Sequence, residues 1–562
     1  AQHALVAGKT GSGKSTLLHA LVTNLALTYS PDEAELFLID FKKGVEFKMY
    51  ADRRLPHARV IAIESEREFG LSVLQRLDGV LRERGDEFRR AGVNDLGGYR
   101  EAKPDVKCPR ILLVVDEFQE FFVEDDKLGQ EAALLLDRLV RQGRAFGVHV
   151  LLGSQTLGGA FSLARSTIDQ MAVRIALQCS DADAQLILSK DNNAARLLNR
   201  PGEAIYNDAN GLVEGNDPFQ VVWLPEEKRE GLLGELSAKA DGQLPPPLVF
   251  EGSAAADVSG FAPLAALVST PVSAIPEGPP AVWLGDPVAI KDPTQAVFRP
   301  QSGANLLLIG QHEEAALGLL TTAVVSLAAR LRPSSETNPR ALAVLAGTPD
   351  DGEFADYLRN ATAALGLPGA VVDRAEMPAA VAELAAEVER RQKGESQDRS
   401  PRFLIVHGLQ RLRELRKADD DFGFGRRGDK AATPGENFQT LLRDGPGFGI
   451  HLIVWCDTLN NLQRAVDRQG IREFAVRVLF QMSASDSSHL LDSPVASRLG
   501  RTRALYTEEG SERPEKFRPF GVPAGSWLRQ IGEQLHPPTT PTGEAAATAV
   551  SEASEMPGGM RL

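Results

Sequence analysis

The sequence predicts an α/β protein built from two tandem copies of one domain, each with a parallel sheet flanked by helices. Between Ala4 and Leu224, short apolar runs alternate with amphipathic, helix-like stretches, which is typical of buried parallel strands joined by helices. The same alternation of apolar runs and amphipathic stretches returns after a Pro-rich segment. Several short segments also recur at a nearly constant spacing. A glycine-rich turn also joins the first strand to the first helix.

Five strands are predicted in the first copy from these apolar runs. They are Leu36–Ile39, Val60–Ile63, Ile111–Val115, Val148–Leu152 and Val173–Gln178, in addition to the run that begins at Ala4.

The composition is that of a globular protein too long for one ordinary domain. The 562 residues are 43% hydrophobic and 25% charged, which excludes a wholly disordered, collagen-like or coiled-coil chain. With 62 basic and 76 acidic side chains the net charge is −14, which argues against coating nucleic acid by bulk charge. It does not exclude a ring that grips a strand with a few loops.

Cysteine usage and apolar run length bear on location. Cys108, Cys179 and Cys456 are isolated, so they give neither a disulfide framework nor metal-ligand spacing. Ile111–Val115 and Leu306–Ile309 are among the longest apolar runs, far below the roughly 18–20 residues of a membrane span. We therefore expect a cytoplasmic protein with no signal peptide and no transmembrane helix in this sequence.

Internal repetition supports the tandem arrangement. The segment Phe146–Val150 (FGVHV) recurs as Phe448–Leu452 (FGIHL), an offset of 302 residues, and Arg174 recurs as Arg477 at an offset of 303. His149 and its counterpart in the second segment follow apolar residues, so both are expected to be core histidines. The predicted division is a first domain at 1–235, a Pro/Ala/Gly-rich linker at 236–280, a second domain at 281–535 and a disordered tail at 536–562.

The second copy has a hairpin-like lead-in, Ala281–Phe298, before its first central strand, whereas the first copy starts three residues before its own. We therefore expect the chain to be part of a longer protein, with membrane or partner domains possible upstream of Ala1.

A phosphate-binding loop follows the first strand. Residues 8–15 read GKTGSGKS and match G-x-x-x-x-G-K-[ST] between a strand and a helix, the context that supports such a match. Backbone amides and the helix N-terminus would bind phosphate, Lys14 would reach the β- and γ-phosphates, and the Ser15 hydroxyl would ligate Mg²⁺. The predicted nucleotide-binding residues are Gly8, Lys9, Thr10, Gly11, Ser12, Gly13, Lys14, Ser15 and Thr16.

Polar residues end two further strands. Asp116 and Glu117 follow Ile111–Val115, where Asp116 can hold Mg²⁺ and Glu117 can polarise the attacking water; a helix N-cap is the alternative. Gln155 follows Val148–Leu152 and can sense the γ-phosphate, or it is an ordinary loop residue. Lys42, after Leu36–Ile39, faces nucleotide, a pore or solvent.

The second copy lacks these groups. At the 302-residue offset Ala315–Leu317 replaces Gly13–Ser15, and Asp457 replaces Gln155. The strand that aligns with the acid-bearing strand ends in His407 and Gly408 in place of the two acids. We expect this domain not to hydrolyse ATP.

The first copy carries a spaced set of short motifs. They are Leu38–Lys42, Leu55–His57, Leu81–Arg84 with Ala91–Val93 and Gly98–Tyr99, Val114–Phe118, and Gly143–His149 with Ser154–Gln155. This set resembles the FtsK/SpoIIIE ATPases, which include chromosome translocases and the EccC motors of type VII secretion. The resemblance implies two RecA-like P-loop NTPase domains, a hexameric ring with ATP at subunit boundaries, and a substrate in the central channel. It implies that Lys14 and Ser15 bind phosphate and Mg²⁺, Asp116 holds the metal, Glu117 is catalytic and Gln155 is the sensor.

The resemblance leaves the trans-acting arginine and the cargo open. Translocation of double-stranded DNA is the first expectation, because Gly92–Tyr99 and the short loops resemble the DNA motors. Protein export is the second, because a degenerate tandem motor resembles EccC and no winged-helix module is found. A nucleotide-switched scaffold is the third. The arginine candidates are Arg76, Arg82, Arg84, Arg141 and Arg144.

Overall fold

The structure, a computed structural model, describes residues 2–42, 46–158, 165–240, 244–275, 277–332, 341–347, 354, 356–417, 431–511 and 513–536. The chain divides into two compact units. The first contains Ala1–Ala254 and Val288–Lys291, and the second contains Ala255–Pro287 and Asp292–Leu562. The predicted tail from residue 537 onward lies outside the described residues.

The first unit has a mostly parallel sheet in the order β8-β7-β6-β1-β5-β4-β2-β3-β9. All neighbours pair in parallel except β6–β7 and β7–β8, which form an antiparallel edge. The strands are β1 (Ala4–Ala7), β2 (Ala34–Asp40), β3 (Ala58–Ile63), β4 (Arg110–Asp116), β5 (Val148–Ser154), β6 (Val173–Leu177), β7 (Glu203–Asn207), β8 (Asn216–Gln220) and β9 (Leu248–Glu251).

Helices cover both faces of this sheet, because the central strands are apolar on both sides and contribute to two separate core clusters. The helices are α1 (Lys14–Thr28), α2 (Lys48–Asp52), α3 (Arg67–Ala91), α4 (Leu96–Ala102), α5 (Lys127–Gln142), α6 (Arg165–Asp169), α7 (Asp181–Ile187) and α8 (Glu226–Ala240). The longest, α3, ends where Gly92 takes a left-handed conformation with φ of 72°.

The second unit repeats the parallel core and adds a larger antiparallel edge. Its order is β11-β10-β19-β18-β17-β12-β16-β15-β13-β14, parallel from β17 to β14. The predicted lead-in hairpin is the antiparallel pair β10–β11. The strands are β10 (Ala281–Pro287), β11 (Thr294–Val297), β12 (Leu306–Ile309), β13 (Leu342–Ala346), β14 (Val371–Val372), β15 (Arg402–His407), β16 (Ile450–Cys456), β17 (Val476–Leu479), β18 (Ala504–Glu508) and β19 (Glu515–Pro519).

The helices of the second unit are α9 (Ala262–Ser269), α10 (Glu313–Leu331), α11 (Tyr357–Ala364), α12 (Met377–Gln392), α13 (Pro434–Arg443), α14 (Leu459–Ala465), α15 (Arg468–Arg472), α16 (Ala484–Leu491) and α17 (Gly525–Leu535). One of them, α10, is long and apolar enough to cross a membrane, although its apolar window is 83% buried within the structure. Burial of this kind is typical of a core helix.

Matching side-chain contacts support the duplication. In the first unit the amide of Val150 donates to His3 Nδ1 at 3.0 Å, and in the second the amide of Leu452 donates to Asn305 Oδ1 at 2.8 Å. Both contacts join the segment before the first central strand to the strand beside it. Arg174 and Arg477, which share one place in the repeat, each donate to carbonyl oxygens of a neighbouring helix end.

The linker predicted at 236–280 is only partly irregular and must be corrected. Leu248–Glu251 forms β9 and pairs in parallel with β3, and Ala262–Ser269 forms α9, whose Leu264 and Val268 are buried in the core of the second unit. Pro245–Pro247 directly precedes this strand without preventing it. The segment therefore contributes edge strand and core helix to the two units.

Candidate functional site

The candidate site lies at the carboxyl ends of the central strands of the first unit. β1 lies between β5 and β6, with Ala7 opposite Ser154, and β4 pairs with β5 so that Asp116 lies opposite Gly153. The carboxyl edge of a parallel sheet is the usual ligand site of such folds. The sheet order therefore brings the glycine-rich loop and the acidic pair together, as the sequence predicts.

The loop from Gly8 to Gly13 needs glycine at defined points. Gly11 and Gly13 have φ values of 78° and 103°, in the left-handed region that glycine adopts without strain. A β-carbon on Gly8 would lie 2.5 Å from Ser12 Oγ. The loop is thus a tight concavity that larger residues would fill, which suits close approach of phosphate.

Backbone hydrogen bonds fix this loop to its surroundings. The amide of Gly8 donates to the Ser154 carbonyl at 3.1 Å and the amide of Lys9 to the Gln178 carbonyl at 2.9 Å. From the other side, the amide of Gly202 donates to the Ser12 carbonyl at 2.8 Å. The loop therefore has a defined shape.

Lys14, the first residue of α1, is buried against both acids. Its Nζ forms an ion pair with Asp116 and another with Glu117 Oε1 at 2.7 Å, and all three side chains are at most 6% exposed. A buried charge needs such compensation. The two acids at the carboxyl end of β4 therefore hold the lysine in place.

Glu117 adopts a left-handed backbone conformation with φ of 56°, unusual for a residue with a β-carbon. Its Oε2 accepts from the amide of Gln155 at 3.0 Å and from Gln119 Nε2 at 2.8 Å. Burial alone would raise the pKa of Glu117, but Lys14 and these hydrogen bonds lower it. For Asp116, burial outweighs the attraction of Lys14 and raises the pKa.

Gln155 joins the glycine-rich loop to the acidic pair. Its side-chain oxygen accepts from Thr10 Oγ1 at 2.9 Å, while its backbone amide binds Glu117. A change in the loop therefore reaches Glu117 through one residue. This placement suits the predicted sensor role, which stays a prediction.

Ser15 contacts a carboxylate that sequence reasoning missed. Its hydroxyl donates to Glu46 Oε1 at 3.0 Å, and Glu46 Oε2 lies 3.3 Å from His19 Nε2. Hydrogen bonds from His19 and Ser15 lower the pKa of Glu46. His19 Nδ1 lies 2.8 Å from the Tyr50 hydroxyl, which anchors the histidine. The contact is tertiary, so spacing gave no signal for Glu46.

Asp40 is a second acid that the sequence interpretation did not single out. It lies beside Asp116 in the β2–β4 register and is fully buried. Burial raises the pKa of Asp40 to about 7, and the charges of Asp116 and Glu46 act in the same direction. Lys42, whose amide donates to Asp40 Oδ1 at 2.9 Å, lines the cleft described next, which supports the nucleotide-facing alternative.

A cleft of about 430 Å³ opens above the loop. It is lined by Lys9, Thr10, Gly11, Gly13, Lys14, Ser15, Thr16, Lys42, Glu46, Gln155, Pro201, Gly202, Gln220, Val221 and Trp223. Most of the predicted nucleotide-binding residues are among them, and Asp116 and Glu117 meet the cleft through Lys14.

The residues present fit a nucleotide with Mg²⁺. Ser12 Oγ is buried without a hydrogen-bond partner in the described structure, in a loop whose glycines leave room for phosphate oxygens. The Ser15 hydroxyl and Asp116 are oxygen donors of the kind Mg²⁺ prefers. Among the described residues there is no group of three His, Cys, Asp or Glu side chains able to hold a metal ion.

One of the five arginine candidates must be withdrawn. Arg84 is buried and donates to the carbonyls of Phe146 at 2.6 Å and Pro109 at 2.8 Å, so it stabilises its own unit. Arg82 pairs with Asp78 and Arg141 with Asp137. Arg76 and Arg144 are exposed.

The corresponding place in the second unit differs from the constant-offset alignment. Helix α10 begins at Glu313, so this residue, not Ala316, holds the helical position of Lys14. The loop before it spans residues 310–312, against 8–13 in the first unit. β15 ends at His407 and Gly408 has φ of 75°, as predicted for the places of Asp116 and Glu117.

Comparisons with known proteins agree with this geometry. Residues 1–159 match the model of the FtsK/SpoIIIE family. The chain is 31% identical over 205 residues to the ESX secretion system protein YukB of Bacillus subtilis, covering 35% of the chain and 13% of the relative. It is 27% identical over 254 residues to the DNA translocase FtsK of Lactococcus lactis subsp. cremoris, covering 43% and 32%.

Among solved structures, the cytoplasmic domain of the Thermomonospora curvata type VII secretion ATPase EccC has a TM-score of 0.60 at 22% identity, covering 95% of this chain and 63% of that one. EssC (ATPases 2 and 3) from Geobacillus thermodenitrificans has a TM-score of 0.56 at 15% identity, covering 93% and 92%. The tandem α/β fold is therefore shared with these ATPases.

The fold and the loop define the first unit as a P-loop ATPase domain. Over residues 1–159 it is similar to the FtsK/SpoIIIE family, the resemblance that its motifs predict. The chain spans 13–32% of the length of the two curated relatives named above.

Proposed function

We propose that the first unit binds and hydrolyses ATP as the motor of a larger assembly, at a site formed by the P-loop, Asp116, Glu117 and Gln155. The observation that carries this proposal is the contact of Lys14 with both acids at the carboxyl edge of the sheet. A P-loop lysine and a strand-end acid pair in contact are the parts that phosphoryl transfer requires.

Each residue has a part that its position supports. Lys14 leaves the acids to bind phosphate, and Ser15 with Asp116 would hold Mg²⁺, which neutralises charge on the phosphates. Glu117, freed from Lys14, accepts a hydrogen bond from the attacking water and takes its proton. A glutamate carboxyl is ionised at neutral pH at its ordinary pKa, so Glu117 can act as a base there. Gln155 links Thr10 to Glu117 and so couples phosphate occupancy to the base.

The test separates binding from hydrolysis in the full chain. Glu117→Gln should still bind ATP but lose at least about a hundredfold in turnover, the usual contribution of a general base. Glu120→Gln is the matched control, since it removes the same charge three residues away without touching Lys14. Full turnover in Glu117→Gln, or equal losses in both variants, would contradict the assignment.

For the cargo we propose protein in preference to DNA, which reverses the order expected from the sequence. EccC and EssC ATPases share the tandem fold over 93–95% of the chain. In sequence, the secretion protein YukB and the DNA translocase align with similar shares of the chain, 35% and 43%, so the preference rests on the tandem fold. The net charge of −14 also gives little bulk attraction for phosphate backbones. Duplex DNA stays the second candidate, supported by 27% identity to FtsK over 254 residues.

One stimulation assay distinguishes the two cargoes. ATP turnover of the full chain is measured with duplex DNA and, separately, with a helical peptide that carries a secretion signal. Protein cargo predicts stimulation by the peptide and a rate unchanged by DNA. Stimulation by DNA and not by the peptide would make duplex DNA the first candidate again, as the sequence analysis expects. We also propose that the chain assembles as a hexameric ring, as the family resemblance implies. Sedimentation with and without ATP tests the ring and its stoichiometry.

For the second unit we propose a structural or partner-binding role without hydrolysis. Glu313 begins α10, where the first unit has the P-loop lysine. His407 ends β15, the strand that corresponds to the Asp116-bearing strand of the first unit. A carboxylate at that position repels phosphate. Turnover by the full chain carrying Lys14→Ala would contradict this proposal, because only the second unit could then supply it. The division into two domains is likewise kept as a proposal, with the bounds of the two compact units in place of 1–235 and 281–535.

A further inference from the structure

Trp223 is the most exposed large aromatic side chain beside the cleft of the first unit. It follows β8, it is 73% exposed, and it lines the same cleft as Lys14 and Ser15. A tryptophan exposed to this extent gains little from packing in the fold. Its position in a ligand cleft therefore needs a separate explanation.

The lining of this cleft is chemically divided. The part contributed by the P-loop and the segment after β2 carries three cations, Lys9, Lys14 and Lys42, and one carboxylate, Glu46, which Ser15 and His19 contact. The other part is contributed by the β7–β8 edge and the residues that flank it. Its described lining, which includes Pro201, Gln220 and Trp223, contains no charged residue. A ligand that fits both parts has an anionic portion and a planar, apolar portion.

The uncharged wall is fixed to the phosphate loop. The amide of Gly202 donates to the Ser12 carbonyl at 2.8 Å, and the amide of Val221 donates to the Gly202 carbonyl at 2.8 Å. A β-carbon on Gly13 would lie 3.1 Å from the backbone of Gly202. Two hydrogen bonds thus connect Val221, two residues before Trp223, to the phosphate loop through Gly202. The backbone that carries the Trp223 ring therefore has a defined position beside the loop.

We propose that Trp223 is the stacking platform for the nucleobase of the bound nucleotide and sets the affinity of the site for a nucleotide over a bare polyphosphate. This inference rests on the proposed ATP site. Every base presents a π-face to an aromatic ring, and stacking contributes substantially to affinity. Trp223 acts on binding and takes no part in proton transfer.

The experiment compares two ligands on the full chain by calorimetry, ATP and inorganic tripolyphosphate, each with Mg²⁺. Trp223→Ala should weaken ATP binding by about tenfold, which is within the range for loss of one base stack, and leave tripolyphosphate binding unchanged. Trp223→Phe should retain most of the ATP affinity. Leu197→Ala is the matched control, because Leu197 is also 73% exposed and lies outside the cleft lining.

Fluorescence gives an independent readout. Trp223 is the only tryptophan in residues 1–254, and the other three are Trp283, Trp455 and Trp527. ATP should change the emission of the unaltered chain, and the change should be absent in Trp223→Phe, which keeps those three. Tripolyphosphate should leave the emission of both proteins unchanged.

The outcomes separate this inference from the ATP site itself. If the unaltered chain binds neither ligand, the proposed function fails and the inference fails with it. If it binds ATP but Trp223→Ala binds ATP equally well, or loses both ligands equally, only the base platform is overturned.

Discussion

Arg411 donates two hydrogen bonds, of 2.7 and 3.0 Å, to the two carboxylate oxygens of Glu313. Glu313 begins α10 as Lys14 begins α1, and Arg411 lies in the short helical turn after β15, as Glu117 lies directly after β4. The second unit therefore keeps an ion pair between the helix start and the strand end, with the charges exchanged. Arg411 also lies 5.9 Å from the ring centroid of Trp455.

Exchanging these charges tests the pair directly. Glu313→Arg and Arg411→Glu should each lower stability, by about 1 kcal/mol after allowance for their exposure of about one third. The double exchange should recover at least half of the loss, since it restores opposite charges. Arg359→Asp, beside Asp373 in a more exposed pair, is the control and should change stability less. Urea unfolding provides the measurement; additive losses in the double variant would contradict a direct pair.

The central strands of the first sheet were predictable because each is a short apolar run that can be recognised from its own residues. Val60–Ile63 and Ile111–Val115 lie within β3 and β4, and the FGVHV repeat located the duplication. β9 was not predictable, because its partner β3 lies far away in sequence and a proline run precedes it. The true start of α10 was also missed, since an offset measured on strands cannot reveal a shorter loop between them.

Within the candidate site, motif residues were predictable and their tertiary partners were not. The P-loop spacing identified Lys14 and Ser15, but nothing local connects Ser15 to Glu46, 31 residues later. Trp223 was overlooked for the same reason. It reaches the cleft only because β7 and β8 form an antiparallel edge beside β6.

Lys14 should stabilise the free first unit as well as bind phosphate. Lys14→Ala leaves Asp116 and Glu117 buried without their cation, so we expect a loss of about 3 kcal/mol in the free energy of unfolding. Adding Asp116→Asn should recover part of this loss, because one uncompensated charge disappears. Thermal unfolding of the single and double variants checks the prediction. A single variant as stable as the parent would show that the buried pair contributes nothing net.

Acid should destabilise the second unit partly through His407. Burial lowers the pKa of His407 to about 4; Glu313 opposes this shift and Arg411 adds to it. The unfolded chain takes up the proton near pH 6.5, so this contribution is complete above pH 6.5 and is lost as the pH falls toward 4, by up to about 1.4 kcal/mol per pH unit. His407→Phe, which can keep the stacking on Trp455, should flatten the dependence of stability on pH between 6.5 and 4.5. His489→Asn, at an exposed site, should leave it unchanged, and a slope equally steep in both variants would exclude His407 as the cause.

Two helical glycines should respond oppositely to alanine. A β-carbon on Gly318 in α10 would overlap the carbonyl oxygen of Phe520, whereas one on Gly79 in α3 would have no atom within 4 Å. Gly318→Ala should therefore destabilise the second unit despite the better helix propensity of alanine, while Gly79→Ala should stabilise the first by up to about 1 kcal/mol. Denaturant midpoints of the two variants provide the comparison; a stabilising Gly318→Ala would mean that the helix moves freely at this point.

The three-residue turn between β12 and α10 limits what substitutions in the second unit can achieve. It is half as long as the P-loop of the first unit, so no exchange of side chains alone can build a phosphate cradle there. A nucleotide site at this place would require an insertion together with replacement of Glu313, His407 and Gly408. Backbone length, and not only side-chain chemistry, therefore distinguishes the two halves of the chain.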